Sequence, residues 1–446
     1  MRIAFVPIDN RPVCYTLPQI ISQIDDTFEL ELPDRTYLGD LNRQADIENL
    51  FEWLKGLSNL DGIVLSLDTL AYGGLIPSRR CPENFDEIKN RVERLKKILV
   101  DKNCKIYAFS SIMRISNNNY NDEEKVYWAE YGKEIFKYSF NTHKNGVEFS
   151  TTVPQEILED YVATRKRNFE INKIYLEWQK EGLIDTLVFS KDDCAEFGFN
   201  VKEAKELERL GGYTKTGADE IPLSLLSRAI SGSMKVCPVF LEPEHKHLIS
   251  NYEDVSIEKS VLGQLELAGC EVVTEKDADI LLVVNNFKNN QGEIVMKVET
   301  EGFCSSFKVP DKPYMIADVR FANGSDNGFV NELLFKNKLK DENFYGYSAW
   351  NTSANTLGSL ICGAKMKFLA KKYNKKSFKK LQITRFLDDW AYQANVRQTL
   401  SSPCVDELNT KMQKFEKKIE SAIMGDVNVK YSFPWERLFE VEFEFS

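Results

Sequence analysis

The sequence predicts an α/β protein built from parallel-sheet, Rossmann-like units whose strand-end loops form one polar site, with a helical region at the C-terminus. Three observations lead there. Apolar runs of strand length alternate with amphipathic segments of about 10–15 residues, the pattern of βαβ units. Seven of the runs end in carboxylates, amides or arginine, at Asp9-Asn10-Arg11, Asp68, Arg114, Asp192-Asp193, Asp219-Glu220, Asp318 and Asn351. Right-handed crossovers would place these exits on one edge, where ligands of α/β proteins bind. An irregular (βα)8 barrel over residues 1–362 is the alternative that the same strand count fits.

In chain order, the apolar run Ile3–Ile8 is too short for a helix and reads as a strand. It leads to the helix Leu17–Ile24, the strand Phe28–Leu32 and the helix Ala45–Leu57. Strand Gly62–Leu67, helix Asp86–Val100 and strand Lys105–Ser111 repeat the unit. A long helical stretch from Glu123 to Lys180 breaks near Thr142–Pro154, because proline disfavours helical geometry in the residue before it. Strand Leu183–Ser190, helix Val201–Leu210, strand Tyr213–Thr216 and helix Pro222–Ile230 complete a first block. A second block begins near Ser231-Gly-Ser, with strand Lys235–Leu241, helix Ile257–Leu267 and strands at Glu271–Val273, Ile280–Val284 and Tyr314–Asp318. Helix Phe329–Phe335 and strand Phe344–Ala349 close it. From Leu357 the pattern is helical, to Lys372, then Gln382–Leu400 and Val405–Ile423. The expected organisation is therefore an α/β domain at 1–232, a smaller α/β unit at 233–362 and a helical region at 363–446.

Composition narrows the function. With 446 residues and 43% of them hydrophobic, the chain exceeds one ordinary core. A net charge of −10 opposes phosphate and argues against a nucleic-acid partner. The start of the sequence reads as a strand rather than a leader peptide, so none is expected, and no run reaches the roughly 18 apolar residues of a membrane span. The expectation is a cytoplasmic protein that binds a small polar molecule, without nucleic acid, membrane or cofactor, its oligomeric state left open. The nine cysteines are scattered without C-x-x-C spacing and read as free thiols. Only His143, His245 and His247 supply imidazole. The last two, in Glu242-Pro-Glu-His-Lys-His, are a metal-like cluster whose alternative reading is a solvated helix start after Pro243.

The strand exits carry the candidate chemistry. Asp192 and Asp193 stand side by side, and like charges that close raise one carboxyl's pKa, which suits a general acid; the alternative is a capping pair for the following helix. Gly217-Ala-Asp219-Glu220 offers a second carboxylate before a helix, or a routine cap. Asp9 and Arg11 place a carboxylate and a fork-shaped guanidinium after the first strand, for a substrate anion or an internal ion pair. Asp68, with Arg79 and Arg80 beyond it, and Arg114 add polar groups, while Gly73-Gly74 matches no phosphate loop. Asp318, Asn323, Trp350, Asn351 and Asn355 lie in amide-rich loops of the second block. Amides grip hydroxyls and an indole stacks on a sugar face, although a tryptophan is as readily core and the amides a capping run.

Pro7-Ile-Asp-Asn-Arg-Pro12, the run from Leu65 through Asp-Thr-Leu-Ala-Tyr-Gly-Gly to Arg79, Phe109–Arg114, Asp192-Asp193, Gly217–Glu220, Ala322–Asp326 and Trp350–Gly358 together resemble a bacterial family of unknown function, DUF4127. The resemblance runs nearly the whole chain in order and implies one full-length unit; it implies no reaction. A looser likeness, confined to the acidic pair, is to glycosidases that cleave N-acetylhexosaminides with substrate assistance, where one carboxyl orients the acetamido group and the other protonates the leaving oxygen. The leading expectation is a hydrolase of a glycoside or similar polyhydroxylated molecule. Asp193 would be the general acid, Asp192 its partner, Asp219 or Glu220 the second carboxylate, and Asp9, Arg11, Asp68, Arg114, Asp318, Asn323, Trp350, Asn351 and Asn355 would bind substrate. A Mg²⁺- or Mn²⁺-dependent phosphoryl or carboxylate enzyme and a non-catalytic metabolite-binding protein are the alternatives.

Overall fold

A computed structural model of the chain describes residues 1–192, 195–303, 307–335, 342–423 and 427–445. It divides into two compact units. Met1–Tyr15, Glu29–Pro222 and Tyr252–Asp254 form the first; Thr16–Phe28, Leu223–Asn251 and Val255–Ser446 form the second.

The first unit opens with β1 (Arg2–Val6). The next segment, with α1 (Thr16–Ser22), belongs to the second unit. Then follow β2 (Glu29–Glu31), α2 (Ile47–Gly56), β3 (Gly62–Ser66), α3 (Leu67–Tyr72), α4 (Leu75–Arg80) and α5 (Phe85–Val100). β4 (Lys105–Ile112), α6 (Trp128–Asn145), α7 (Gln155–Lys180), β5 (Thr186–Lys191), α8 (Phe199–Arg209) and β6 (Thr214–Thr216) complete the series, and α9 (Ile221–Ala229) belongs to the second unit from Leu223 onward. The six strands pair in parallel in the order β2-β1-β3-β4-β5-β6. β3 is buried along its whole length and β4 at every position but its first. Ile63, Leu65, Leu50, Leu54, Ile88 and Val92 pack in one cluster with Ile171, Tyr175 and Leu187. Helix α5 starts at a reciprocal cap: the Asn84 side chain accepts from Glu87 N at 3.1 Å and the Glu87 carboxylate from Asn84 N at 2.7 Å.

The structure adds helices where the sequence pattern shows none. β3 runs straight into α3, whose amide of Thr69 donates to Ser66 Oγ and whose end is set by Gly73 at φ +86°. Asp68 therefore lies in a helical first turn rather than a loop. Two six-residue helices are too short to display a 3.6-residue period.

In the second unit, β7 (Lys235–Phe240), α10 (Ile257–Leu267), β8 (Glu271–Val272), β9 (Ile280–Asn285), β10 (Gly292–Glu293), β11 (Tyr314–Asp318), β12 (Phe321–Ala322), α11 (Asn327–Phe335) and β13 (Phe344–Ser348) follow in turn. The large sheet is parallel, in the order β13-β11-β9-β7-β8. Beyond it come α12 (Ser353–Leu369), α13 (Lys375–Arg385), a π-helical segment at Phe386–Val396, α14 (Val405–Ile423), and an antiparallel pair, β14 (Val429–Ser432) and β15 (Glu442–Phe445). The stretch expected as one helix from Gln382 to Leu400 is thus wound more widely over its middle. Helix α12 starts at Ser353, capped by Thr352, so Asn355 is inside its first turn. Among the described residues no helix is long and apolar enough to cross a membrane.

Candidate functional site

In the first unit the carboxyl ends of β1, β3, β4, β5 and β6 share one edge because the strands are parallel. β1 delivers Asp9, whose Oδ1 accepts from the Arg11 amide at 3.0 Å and whose Oδ2 accepts from Arg11 Nε at 2.9 Å. The guanidinium then reaches the loop after β6, donating to both oxygens of Asp219 at 2.6 and 3.2 Å. In the sheet order β1 and β6 are four spacings apart, about 19 Å. The Arg11–Asp219 contact therefore joins the exits of two strands that are not neighbours in the sheet.

The β6 exit is shaped by Gly217. Its φ is +109°, and a Cβ there would overlap the carboxyl of Glu220. The turn brings the Glu220 carboxyl back to accept from the Ala218 amide at 3.1 Å. Burial pushes the Glu220 carboxyl up to about 8, with the neighbouring charges of Asp219 and Glu253 adding to it. Burial raises Asp219 too; Arg11 opposes the shift, while Asp9 and Asp192 reinforce it. Asp68, accepting from the Ser111 amide at 2.8 Å, is pushed up to about 7 by burial.

Between these groups β4 and β5 present the wetter part of the rim. Arg114 donates to Asp192 at 3.3 Å, to Glu123 at 3.0 Å and to Glu124 at 2.9 Å. The Asp192 side chain is 30% exposed against 11% for Asp219. Lys191 is held at 2.6 Å by Asp254, which also accepts from Thr216. Asp9, Arg11 and Asp219 are thus in direct contact, Arg114 and Asp192 form a second contact, and the charge of Asp192 reaches Asp219. Asp193 lies outside the described residues.

The second unit gathers the remaining candidates at the ends of its own strands. Asp318 is paired in register with Asn285, whose amide donates to it at 2.8 Å; the Asp326 amide (2.9 Å) and the Tyr347 hydroxyl (2.8 Å) donate to its other oxygen. Burial, with Asp326 next, pushes Asp318 up to about 7. Arg320 spans Asn285, Glu242 and Asp326. Asn323 and Asn351 both adopt φ of +60°, and the Asn323 amide donates to the Asn351 carbonyl at 2.8 Å. Non-glycine residues in that region are uncommon and asparagine tolerates it best. Trp350 is buried, and so is Asn355, whose amide donates to Thr352 Oγ1.

Several groups escaped the sequence reading. Asp389, in the π-helical segment, accepts from the Ala349 amide at 2.7 Å, is paired with Arg385 at 3.3 Å and is pushed up to about 7 by burial. Its signal was available: two aspartates within the apolar run Phe386-Leu-Asp-Asp-Trp390 are charges in a buried pattern. π-helical turns are frequent at functional sites. Glu123, Glu124 and Glu253 left no such mark. Among the described residues no group of three or more His, Cys, Asp or Glu side chains is placed to hold a metal ion.

A comparison with curated proteins found no match. The profile of DUF4127, described as a protein of unknown function, matches residues 3–444. The match spans the strand exits of both units, and the chain belongs to the DUF4127 family.

Proposed function

We propose that the protein is a cytoplasmic hydrolase of glycosides or similarly hydroxyl-rich small molecules, working by carboxylate acid/base catalysis at the strand-end rim of the first unit. The observation that carries this reading is a buried carboxyl, Glu220, next to the rim carboxylate Asp219, whose charge acts on it. Glu220, at about 8, holds a proton at neutral pH. Asp219 lies next to it in charge coupling, and Asp192 couples in turn to Asp219. Carboxyl groups whose surroundings differ in this way divide the acid and base roles between them. Glu220 is assigned as the proton store, Asp192 as the carboxylate that meets substrate, and Asp9, Arg11 and Arg114 as the groups that fix the rim and bind hydroxyls.

The test is a screen of 4-nitrophenyl glycosides at pH 6–8, followed by Asp192→Asn and Glu220→Gln on any substrate found. Loss of a proton-transfer group lowers kcat by about 100-fold or more. Turnover within a few-fold of wild type in both variants would remove these residues from the chemistry.

A further inference from the structure

Beside the rim of the first unit lies a pair of arginines, Arg79 and Arg114, of which the first has buried N–H groups that none of the described residues accepts. Arg79, on α4, has a side chain only 2% exposed. Its Nη1 donates to Glu124 at 2.9 Å, but among the described residues its Nε and Nη2 find no hydrogen-bond acceptor although both are buried. Buried charged N–H groups left unmet are costly, so such atoms point to an acceptor that the described residues do not provide. The Glu123 carboxylate lies 3.8 Å from Nη2, too far for a hydrogen bond. The same Glu123 oxygen accepts from Arg114 at 3.0 Å.

The two glutamates differ in kind. Glu124 is a fixed strut: its side chain is 4% exposed, one oxygen serves both arginines, and its carbonyl accepts from Arg80. Glu123 is 25% exposed and approaches both guanidinium groups without satisfying Arg79. We propose that Arg79 and Arg114 clamp an anionic group, a carboxylate or a phosphate, on the hydroxyl-rich substrate, and that the Glu123 carboxylate occupies the clamp when substrate is absent. A ligand oxygen, not tethered as Glu123 is, can approach Arg79 Nη2 at bonding distance, and guanidinium forks match both anions. The clamp stands at the rim, since Arg114 pairs with Asp192 and the charge of Arg79 acts on Asp68. The substrate class rests on the glycosidase reading; the anion clamp does not.

The experiment is calorimetric titration of the full chain, wild type and Glu123→Gln, with glucuronate, glucose 6-phosphate and glucose. Removing an internal competitor that holds the clamp nine-tenths of the time tightens binding about tenfold. Glu123→Gln is therefore expected to bind at least one of the two anions about tenfold more tightly than wild type, with glucose unchanged; which anion gains distinguishes carboxylate from phosphate. Unchanged or weaker anion binding, no anion binding by either protein, or glucose binding as tightly as the anions would overturn the clamp. Such a result alongside glycoside turnover leaves the hydrolase reading intact. Anion binding that tightens in a protein that cleaves no glycoside keeps the clamp and removes the hydrolase.

Discussion

Replacing Glu220 by glutamine tests the buried acid directly, because it removes the ionisation and keeps the shape. In the folded protein burial raises this carboxyl from 4.5 to about 8. Since the folded-state value is the higher one, the stabilising contribution is complete below pH 4.5 and is lost as pH rises toward 8. At about 1.4 kcal/mol per pH unit, full ionisation costs the fold on the order of 4–5 kcal/mol. Glutamine at the same place can still accept from the Ala218 amide and has nothing to ionise. The two proteins should therefore melt together near pH 5 and diverge above it, glutamine being the more stable by roughly 5 °C at pH 8.5 at about 1 °C per kcal/mol for a chain of this length. Melting curves at half-unit intervals from pH 5 to 9 measure the difference, in which all other titrations cancel. A difference that stays constant across that range would refute the buried, protonated state and with it the proton store assigned above.

Arg11→Ala leaves Asp9 and Asp219 buried without their shared cation. A loss of about 3–5 kcal/mol is expected at neutral pH in chemical denaturation, shrinking as pH falls because burial raises the Asp219 carboxyl and favours its protonated form; a loss below about 1 kcal/mol would show that the triad is solvated. Tyr347→Phe removes one hydrogen bond to Asp318 and keeps the ring stacked on Phe386 at 4.7 Å. Its expected cost is about 1–3 kcal/mol, read from the same denaturation curves; no change would mean that Asp318 is satisfied without the hydroxyl.

The fold class is legible because parallel strands buried on both faces leave a strong one-dimensional trace. Tyr314–Asp318 and Ile257–Leu267 fall where the apolar pattern puts them, the other expected strands differ by one to three residues at their ends, and the short strands β10, β12, β14 and β15 have no counterpart in it. α3 and α4 leave no trace, being shorter than two helical turns and lying within a motif rich in glycine. The π-helical segment is also silent, since its apolar spacing over so few turns resembles that of an α-helix. For the site, polar strand exits mark Asp9, Arg11, Asp192 and Asp219 as candidates. That Arg11 grips Asp219 is not legible, because 208 residues separate them and their strands are not neighbours in the sheet. Glu123 looks like an ordinary surface glutamate, and its meaning comes from the buried arginine beside it.

The chain passes between its two compact units five times. Consequently no single cleavage point yields an intact half. A fragment ending at Pro222 would lack Asp254, the partner of Lys191 and Thr216, and would carry Thr16–Phe28 without Lys371 and Lys372, whose amides donate to Asp25. Biosynthesis faces the same constraint: the first sheet is fully synthesised well before the residues that complete its rim, so the site is finished only after the ribosome has moved more than thirty residues beyond the last strand of that sheet, β6.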